Sequence, residues 1–587
     1  MKKRKVIHSR LTGGFILLLL VLHSQLFSQT LTYCNPVDID YKYNFEQLNE
    51  GISYRSGADP VIVPHGDGYA LFVTISGGWW YSRDLKNWDY VSPSMWPMED
   101  ICAPAAISVG DTLYLFQSTF ELRPIFFMTD PSVGLLRFFN RLMPPLRGAK
   151  GPWDPALFRD DDGRWYMYFG SSNVYPLYGI ELDPHKRLTY IGEAQPLFSL
   201  HPEEHGWERF GQDHRDTITP FIEGAWMTKY GGKYYLQYGA PGTEYNVYAN
   251  GTYVADHPLG PFTYAPYNPV SYKPGGFVQG AGHGNTFQDH YGNYWNTGTP
   301  WIAVNWNFER RIAMFPAGFD ESGQMYSDTR FGDFPHFILQ DSASNSSEFF
   351  TGWMLLSYKK PVTASSVMDG FLPERLCDEN PRTFWVAAAN DTLQYVTIDL
   401  KKSYDIKAIQ VNYTDYQSDI FENDSTVRTC FRLFTSPDGR NWELFADLSD
   451  ETRDRPNAYV EAAKPVRGRY IRYQHIYVAS PNLAISDIRV FGGGEGRAPA
   501  VPGSLRAVRD ADPRNVLISW EPVKDAVGYN IRWGIAPGKL YQTWQRFADQ
   551  GKELEIRALN EGVSYYFAIE AFNENGVSAL SGVVKVE

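Results

Sequence analysis

The sequence predicts an all-β protein: a five-bladed β-propeller followed by two β-sandwiches. Three observations predict it. Short alternating or aromatic runs are broken by Gly, Asp and Pro turns, segments with helical period are scarce, and one strand–turn–strand pattern recurs between residues 50 and 340. At 587 residues the chain is too long for one core, and its size points to about three domains. Hydrophobic residues at 43% and charged residues at 21% are ordinary for folded protein. Aromatic residues are not: 17 Trp, 39 Tyr and 36 Phe make up 16% of the chain, and aromatics favour strands.

The repeat is read directly. Asp59-Pro-Val-Ile-Val-Pro-His-Gly-Asp-Gly-Tyr-Ala-Leu-Phe is a strand, a turn and a strand. Ala103-Pro-Ala-Ala-Ile-Ser-Val-Gly-Asp-Thr-Leu-Tyr, Asp154-Pro-Ala-Leu-Phe-Arg-Asp-Asp-Asp-Gly-Arg-Trp-Tyr, Glu223-Gly-Ala-Trp-Met-Thr-Lys-Tyr-Gly-Gly-Lys-Tyr and His283-Gly-Asn-Thr-Phe-Gln-Asp-His-Tyr-Gly-Asn-Tyr repeat it. The intervals of roughly 45 to 70 residues suit propeller blades with insertions. A blade buries its faces only against its neighbours, so five copies imply a closed ring. In four copies the residue opening the first strand is Asp59, Asp154, Glu223 or His283. The innermost strands of a propeller surround its axis, so these residues converge at one mouth. An Asp before Pro is also a common turn starter, which accounts for one such residue but not for one register held four times. Carboxylates buried together without a task are costly.

From about Trp353 the pattern changes, and residues 355 to 494 read as strands and loops of a β-sandwich. Gly492-Gly-Gly-Glu-Gly and Ala498-Pro-Ala-Val-Pro form a linker by composition. Residues 498 to 587 read as a fibronectin type III-like sandwich, with Trp520 and Tyr565 where its core Trp and Tyr belong. At the other end Lys2, Lys3, Arg4 and Lys5 precede an apolar run, Phe15 to Leu22, and a short polar stretch. That order predicts a signal peptide over residues 1–29, a propeller domain over 30–345 and an exported protein with no membrane span. The net charge of −13 argues against nucleic acid as a partner. Cys34, Cys102, Cys377 and Cys430 are too sparse for a disulfide scaffold and form no CxxC pair, and their redox state stays open.

Gly57-Ala-Asp-Pro, Trp153-Asp-Pro-Ala-Leu-Phe-Arg-Asp-Asp-Asp-Gly, Ile222-Glu-Gly-Ala-Trp and Gly282-His-Gly-Asn-Thr-Phe, in this order and spacing, resemble glycoside hydrolase family 43 over roughly residues 50 to 340. The resemblance implies inverting hydrolysis of a glycosidic bond, with Asp59 as general base, Glu223 as general acid and Asp154 as the carboxylate that orients the acid and raises its pKa. It implies that His283 stands at the propeller centre, facing a calcium ion or its waters; a packing histidine in a Gly-rich turn is the other reading. No cofactor is required. Family members often carry Asp or Glu after Ala-Pro in the second copy, where this chain has Ala105 and Ala106. Arg311 stands where a substrate-binding arginine is often found, although a solvated surface charge explains it equally. Phe434-Thr-Ser-Pro-Asp-Gly-Arg-Asn-Trp and Arg469-Tyr-Ile-Arg-Tyr resemble the discoidin, or coagulation factor 5/8 type C, domain. Such modules on secreted hydrolases usually bind carbohydrate, and a structural spacer is the alternative.

Inversion needs one carboxyl to protonate the leaving oxygen and one carboxylate to activate water on the opposite face, about 6.5–9.5 Å away. Glu223 is expected to hold its proton near neutral pH beside the negative charge of Asp154. Trp79 and Trp80 suggest the wall of a pocket and hence exo-action, with core packing as the alternative. The expected substrate is a plant-type polysaccharide or oligosaccharide, the expected activity that of an α-L-arabinofuranosidase or β-xylosidase, and the expected state a monomer. A galactan-cleaving member of the same family is an alternative. An inactive glycan-binding propeller is the rival of another class, and three intact carboxylates argue against it.

Overall fold

The computed structural model describes residues 31–44, 50–94, 102–118, 124–150, 153–421 and 426–587; the expected signal peptide lies outside the described residues. Among these the chain is built of strands and short 3-10 turns, and no helix is long and apolar enough to cross a membrane.

Five four-stranded antiparallel sheets follow one another, each pairing its strands in sequence order. The first consists of Val61–His65, Gly68–Phe72, Trp79–Ser82 and Asp89–Val91. The others open on Cys102–Val109, Ala156–Arg159, Glu223–Tyr230 and Thr286–Gln288. These opening strands touch in cyclic order, and the fifth returns to the first. The ring is fastened from the N-terminal side. Strand Leu31–Tyr33 pairs antiparallel with His336–Ile338, Asn35 donates to the Met314 carbonyl, and Val37 N–H donates to Ile312 O. Tyr33, Val37, Ile39 and Tyr41 lie in one apolar cluster with Ile62, Trp80, Phe287 and Trp295, so side chains of the first and fifth sheets share a core there.

One backbone device repeats around the ring. Asp59, Ala103, Asp154, Gly224 and His283 all have left-handed φ, at 53°, 43°, 49°, 61° and 43°. Four of the five are not glycine, although this region is sparsely populated for residues with a Cβ. The kink is held by the preceding sheet. Asp59 N–H donates to Thr299 Oγ1, Ala103 N–H to Thr74 Oγ1 and Asp154 N–H to Ser118 Oγ. Each hydroxyl stands at or just after the end of its sheet's second strand, and Ser171 occupies the same place in the third sheet.

The second unit is an eight-stranded antiparallel assembly around Tyr395–Tyr413, Asn457–Val478 and Ala484–Gly493, with Trp385, Ile398, Phe431 and Ile488 in its core. Gly492 and Gly493 belong to its last strand rather than to a linker: a Cβ on Gly492 would fall 2.0 Å from Asp405 O. The unit is bound to the ring through buried ions. Arg55 donates from Nε to Asp415 and from Nη1 to Asp454.

The last unit packs a three-stranded sheet containing Val516–Ser519 on a five-stranded sheet containing Gly528–Gly534 and Tyr565–Asn573. Trp520 is buried, and the Tyr565 hydroxyl accepts the Asn560 N–H at 3.0 Å. Its core continues into the fourth sheet of the ring: Trp207, Tyr238 and Tyr272 form one cluster with Ile531, Trp533 and Phe567. Arg209, nearly buried, donates to Asp512 and Asn515 across the same joint. Among the described residues the four cysteines form no disulfide.

Candidate active site

The kinked residues meet on the axis of the ring. His283 Nδ1 lies 3.1 Å from Asp59 Oδ1 and 3.8 Å from Asp154 Oδ2. Atoms of Asp154, Glu223 and His283 lie within 4.8 Å of one another, the one such cluster among the described residues. Each carboxylate has its own supports. Thr74, which caps the kink at Ala103, donates its hydroxyl to Asp59 Oδ2 at 2.6 Å. Ser171 donates to Glu223 Oε2 at 3.0 Å, and the Tyr248 hydroxyl donates to Glu223 Oε1 at 2.5 Å. Gly224 lets the fourth sheet approach the axis, since a Cβ there would stand 2.8 Å from the His283 ring.

The charges divide the carboxyls. Burial works against ionisation of Asp59, but His283, the Arg310 guanidinium 3.7 Å away and the Thr74 hydroxyl outweigh it and hold this carboxyl below its usual range. Asp154 goes the other way: burial, with the negative charges of Glu223 and Asp59, pushes it up to about 7 against the pull of His283. Burial disfavours the imidazolium of His283, yet Asp59, Asp154 and Glu223 together raise it. Glu244, half-buried nearby, is raised by burial and by the charge of Glu223. The site thus drives two neighbouring carboxyls in opposite directions beside one imidazole, the separation that acid–base chemistry requires.

Two expectations are corrected. Trp79 and Trp80 are 0% and 1% exposed, and their rings pack inside the first sheet's two cores rather than on a pocket wall. The Trp79 indole donates to Pro131 O. Arg311 is 1% exposed and faces away from the site, over the Tyr41 ring, with its guanidinium on Arg55 O and Asn457. Its neighbour Arg310 is the arginine that faces Asp59. A calcium ion, which takes six to eight oxygens, would be held here by Asp154 and Glu223, with His283 beside it and water supplying the remaining oxygens. Aromatic faces near the site come instead from Phe308, whose ring lies 5.5 Å from the Arg310 guanidinium, and Trp306, 38% exposed beside it. In the second sheet Ala105 and Ala106 are fully buried and bring no polar group to the axis.

An all-β ring with two unlike carboxyls, a third carboxylate and an imidazolium on its axis defines the class: a propeller-type protein equipped for proton transfer. Comparison with known proteins gives matches to two domain models. Residues 50–308 match the model of glycosyl hydrolases family 43, and residues 361–483 match the F5/8 type C domain. The chain is 33% identical over 142 residues to a protein named beta-xylosidase from Xylanibacter ruminicola, covering 20% of this chain and 41% of that protein. It is 30% identical over 203 residues to xylosidase/arabinosidase 43A of Humicola insolens, covering 29% of this chain and 58% of that protein. The chain spans about half the length of the curated relatives it matches. A solved structure titled glycoside hydrolase aligns at 18% identity and a TM-score of 0.44, over 74% of this chain and 97% of that one.

Proposed function

We propose that this chain is an exported glycoside hydrolase that cleaves with inversion, removing terminal sugars from plant-type polysaccharide or oligosaccharide as an α-L-arabinofuranosidase or β-xylosidase. The observation that carries this reading is the opposite treatment of Asp59 and Asp154 around one imidazole. In it the five sheets are the blades of a five-bladed propeller over residues 30–345. A discoidin-type sandwich follows over 355–494 and a fibronectin III-like one over 498–587. The Tyr565–Asn560 hydrogen bond supports the last assignment, because it repeats the tyrosine corner of such sandwiches. Residues 1–29 serve as the signal peptide, and the chain acts as a monomer.

Asp59, ionised by its neighbours, takes a proton from the attacking water. Glu223, held by Ser171 and Tyr248, draws on the proton that the cluster keeps on Asp154 and delivers it to the leaving oxygen from the opposite face. Asp154 and His283 position these two and set their charge. Names of the matched proteins, beta-xylosidase and xylosidase/arabinosidase, favour pentosides. The test is sugar release from arabinan, arabinoxylan, arabinogalactan and xylan fragments. Wild type should release one monosaccharide, and Asp59→Ala and Glu223→Gln should each be slower by about 10²–10⁴-fold. No release by the wild type across the panel, with glycans still bound, would turn the reading to a binding protein.

A further inference from the structure

A cavity of about 600 Å³ lies where all three units meet, away from the carboxylate cluster. The ring contributes Asn246, Gln279 and the Gly275-Gly276 turn, the second unit Asn380 and Arg382, and the last unit Trp544 and Gln545. Its floor is built tightly. Gly276 has φ +91°, and a Cβ on it would meet Asp333 Oδ2 at 2.4 Å; a Cβ on Gly275 would meet Gln545 O at 2.3 Å. Two consecutive glycines therefore let the last unit's strand come close enough to present Gln545.

Gln545 is the informative residue. It is 2% exposed, and neither its amide nitrogen nor its amide oxygen has a hydrogen-bond partner in the protein. A buried amide left unmet is costly, and this one lines a cavity of ligand size. Arg382 repeats the theme: Nη1 is buried without a partner, while Nη2 donates to Gln279 Oε1 at 3.3 Å. The carboxylates are matched: Glu379 is held by Arg489, and Asp549 by Lys359 and Tyr358. What remains for a ligand is the Gln545 amide, a donor beside an acceptor, with the buried nitrogens Arg382 Nη1 and Arg546 Nε and the Trp544 ring. Vicinal hydroxyls supply the complementary pair, and an aromatic ring suits the apolar face of a sugar.

We propose that this three-way cavity is a second saccharide-binding site, with Gln545 at its base reading a pair of neighbouring hydroxyls. The choice of ligand class rests on the glycoside hydrolase reading. Arg382 links the two regions: its guanidinium lies 4.2 Å from the Trp301 ring centroid, and Trp301 is bridged by backbone to Arg310, which faces Asp59. A glycan held in the cavity is thus anchored on the wall that carries the site's arginine.

The test uses the full chain with Asp59→Asn, which prevents turnover, titrated calorimetrically with xylotetraose, arabinotetraose and an arabinosylated xylotriose. The expected result is two binding events, one of which disappears in Asp59→Asn/Gln545→Leu. Because leucine removes the unmet amide, the same substitution should leave the melting temperature unchanged or higher, which separates lost binding from lost folding. Gln279→Leu, on the wall, should weaken the same event by about tenfold. A single event unaltered by Gln545→Leu, or no second event at millimolar saccharide, would mean that the cavity holds water only and overturns the proposal. Gln545→Leu alone should hydrolyse small aryl glycosides like the wild type. Failure of the wild type to cleave any aryl glycoside would instead count against the hydrolase reading, and leave the second event to be judged by itself.

Discussion

Asp59 and Asp154 are both 8% exposed, yet they are driven in opposite directions, because Asp59 has Arg310 and the Thr74 hydroxyl beside it as well as His283, while at Asp154 burial and the other carboxylates outweigh His283. The signs fix a pH window. A lowered Asp59 contributes stability above the ordinary carboxylate range and loses it as pH falls through its lowered value. A raised His283 contributes below the ordinary imidazole value, about 6.5, and loses it as pH rises through its raised value. Activity follows a related profile: kcat/KM should fall in acid as Asp59 is protonated and fall above about pH 7 as the carboxyl cluster gives up the proton on Asp154. Arg310→Gln removes one of the charges that hold Asp59 down, so its acid limb should move to higher pH in rate profiles. Arg311→Gln should leave that limb in place and lower thermal stability, since it unpairs a buried carbonyl and Asn457.

At the scale of the element, the kink opening each first strand is the device that aims a side chain at the axis. Gly224→Ala puts a Cβ both into left-handed φ and 2.8 Å from the His283 ring. It should destabilise by at least about 1–2 kcal/mol and depress turnover far more than binding, read by melting temperature and a kcat–KM comparison. Trp80→Ala, by contrast, opens a void between the first and fifth sheets and should cost about 3–5 kcal/mol in denaturant unfolding. This scale also shows where reading the sequence succeeds. That Asp59, Asp154, Glu223 and His283 converge on the axis was legible because one register recurs in four of the five sheets. Arg310 and Arg311 were not, because neighbours on extended chain face opposite ways and only the bridge to Trp301 decides which one faces the site. Trp79 and Trp80 failed for the same reason, as both faces of that strand are covered. Thr74, Ser171 and Tyr248 leave no local mark, since each meets its carboxylate across a long sequence interval.

At the scale of the molecule the three units are not beads on a string. Gly494 N–H donates to Glu574 O and Gly496 N–H to Asn575 Oδ1, so the stretch that reads as a flexible linker is pinned at its start. The Arg55–Asp415–Asp454 group is fully enclosed between ring and second unit, and burial of Asp415 is outweighed by Arg55, which holds the carboxyl below its usual range. Asp415→Ala leaves Arg55 with one partner in a dry joint and should cost about 3–5 kcal/mol. Removal of residues 498–587 bares the face of the fourth sheet around Trp207 and Tyr272, and that truncated chain should aggregate on expression rather than yield a free catalytic domain.

The clasp of residues 31–41 on the fifth sheet has a consequence for synthesis. The segment emerges from the ribosome before the rest of the ring, but its partners, from Phe287 to Ile338, emerge last among the ring's residues. Until then Trp80 and Ile62 lack their fifth-sheet neighbours Phe287 and Trp295. The nascent ring is therefore an open arc for most of its translation, and its closure comes late.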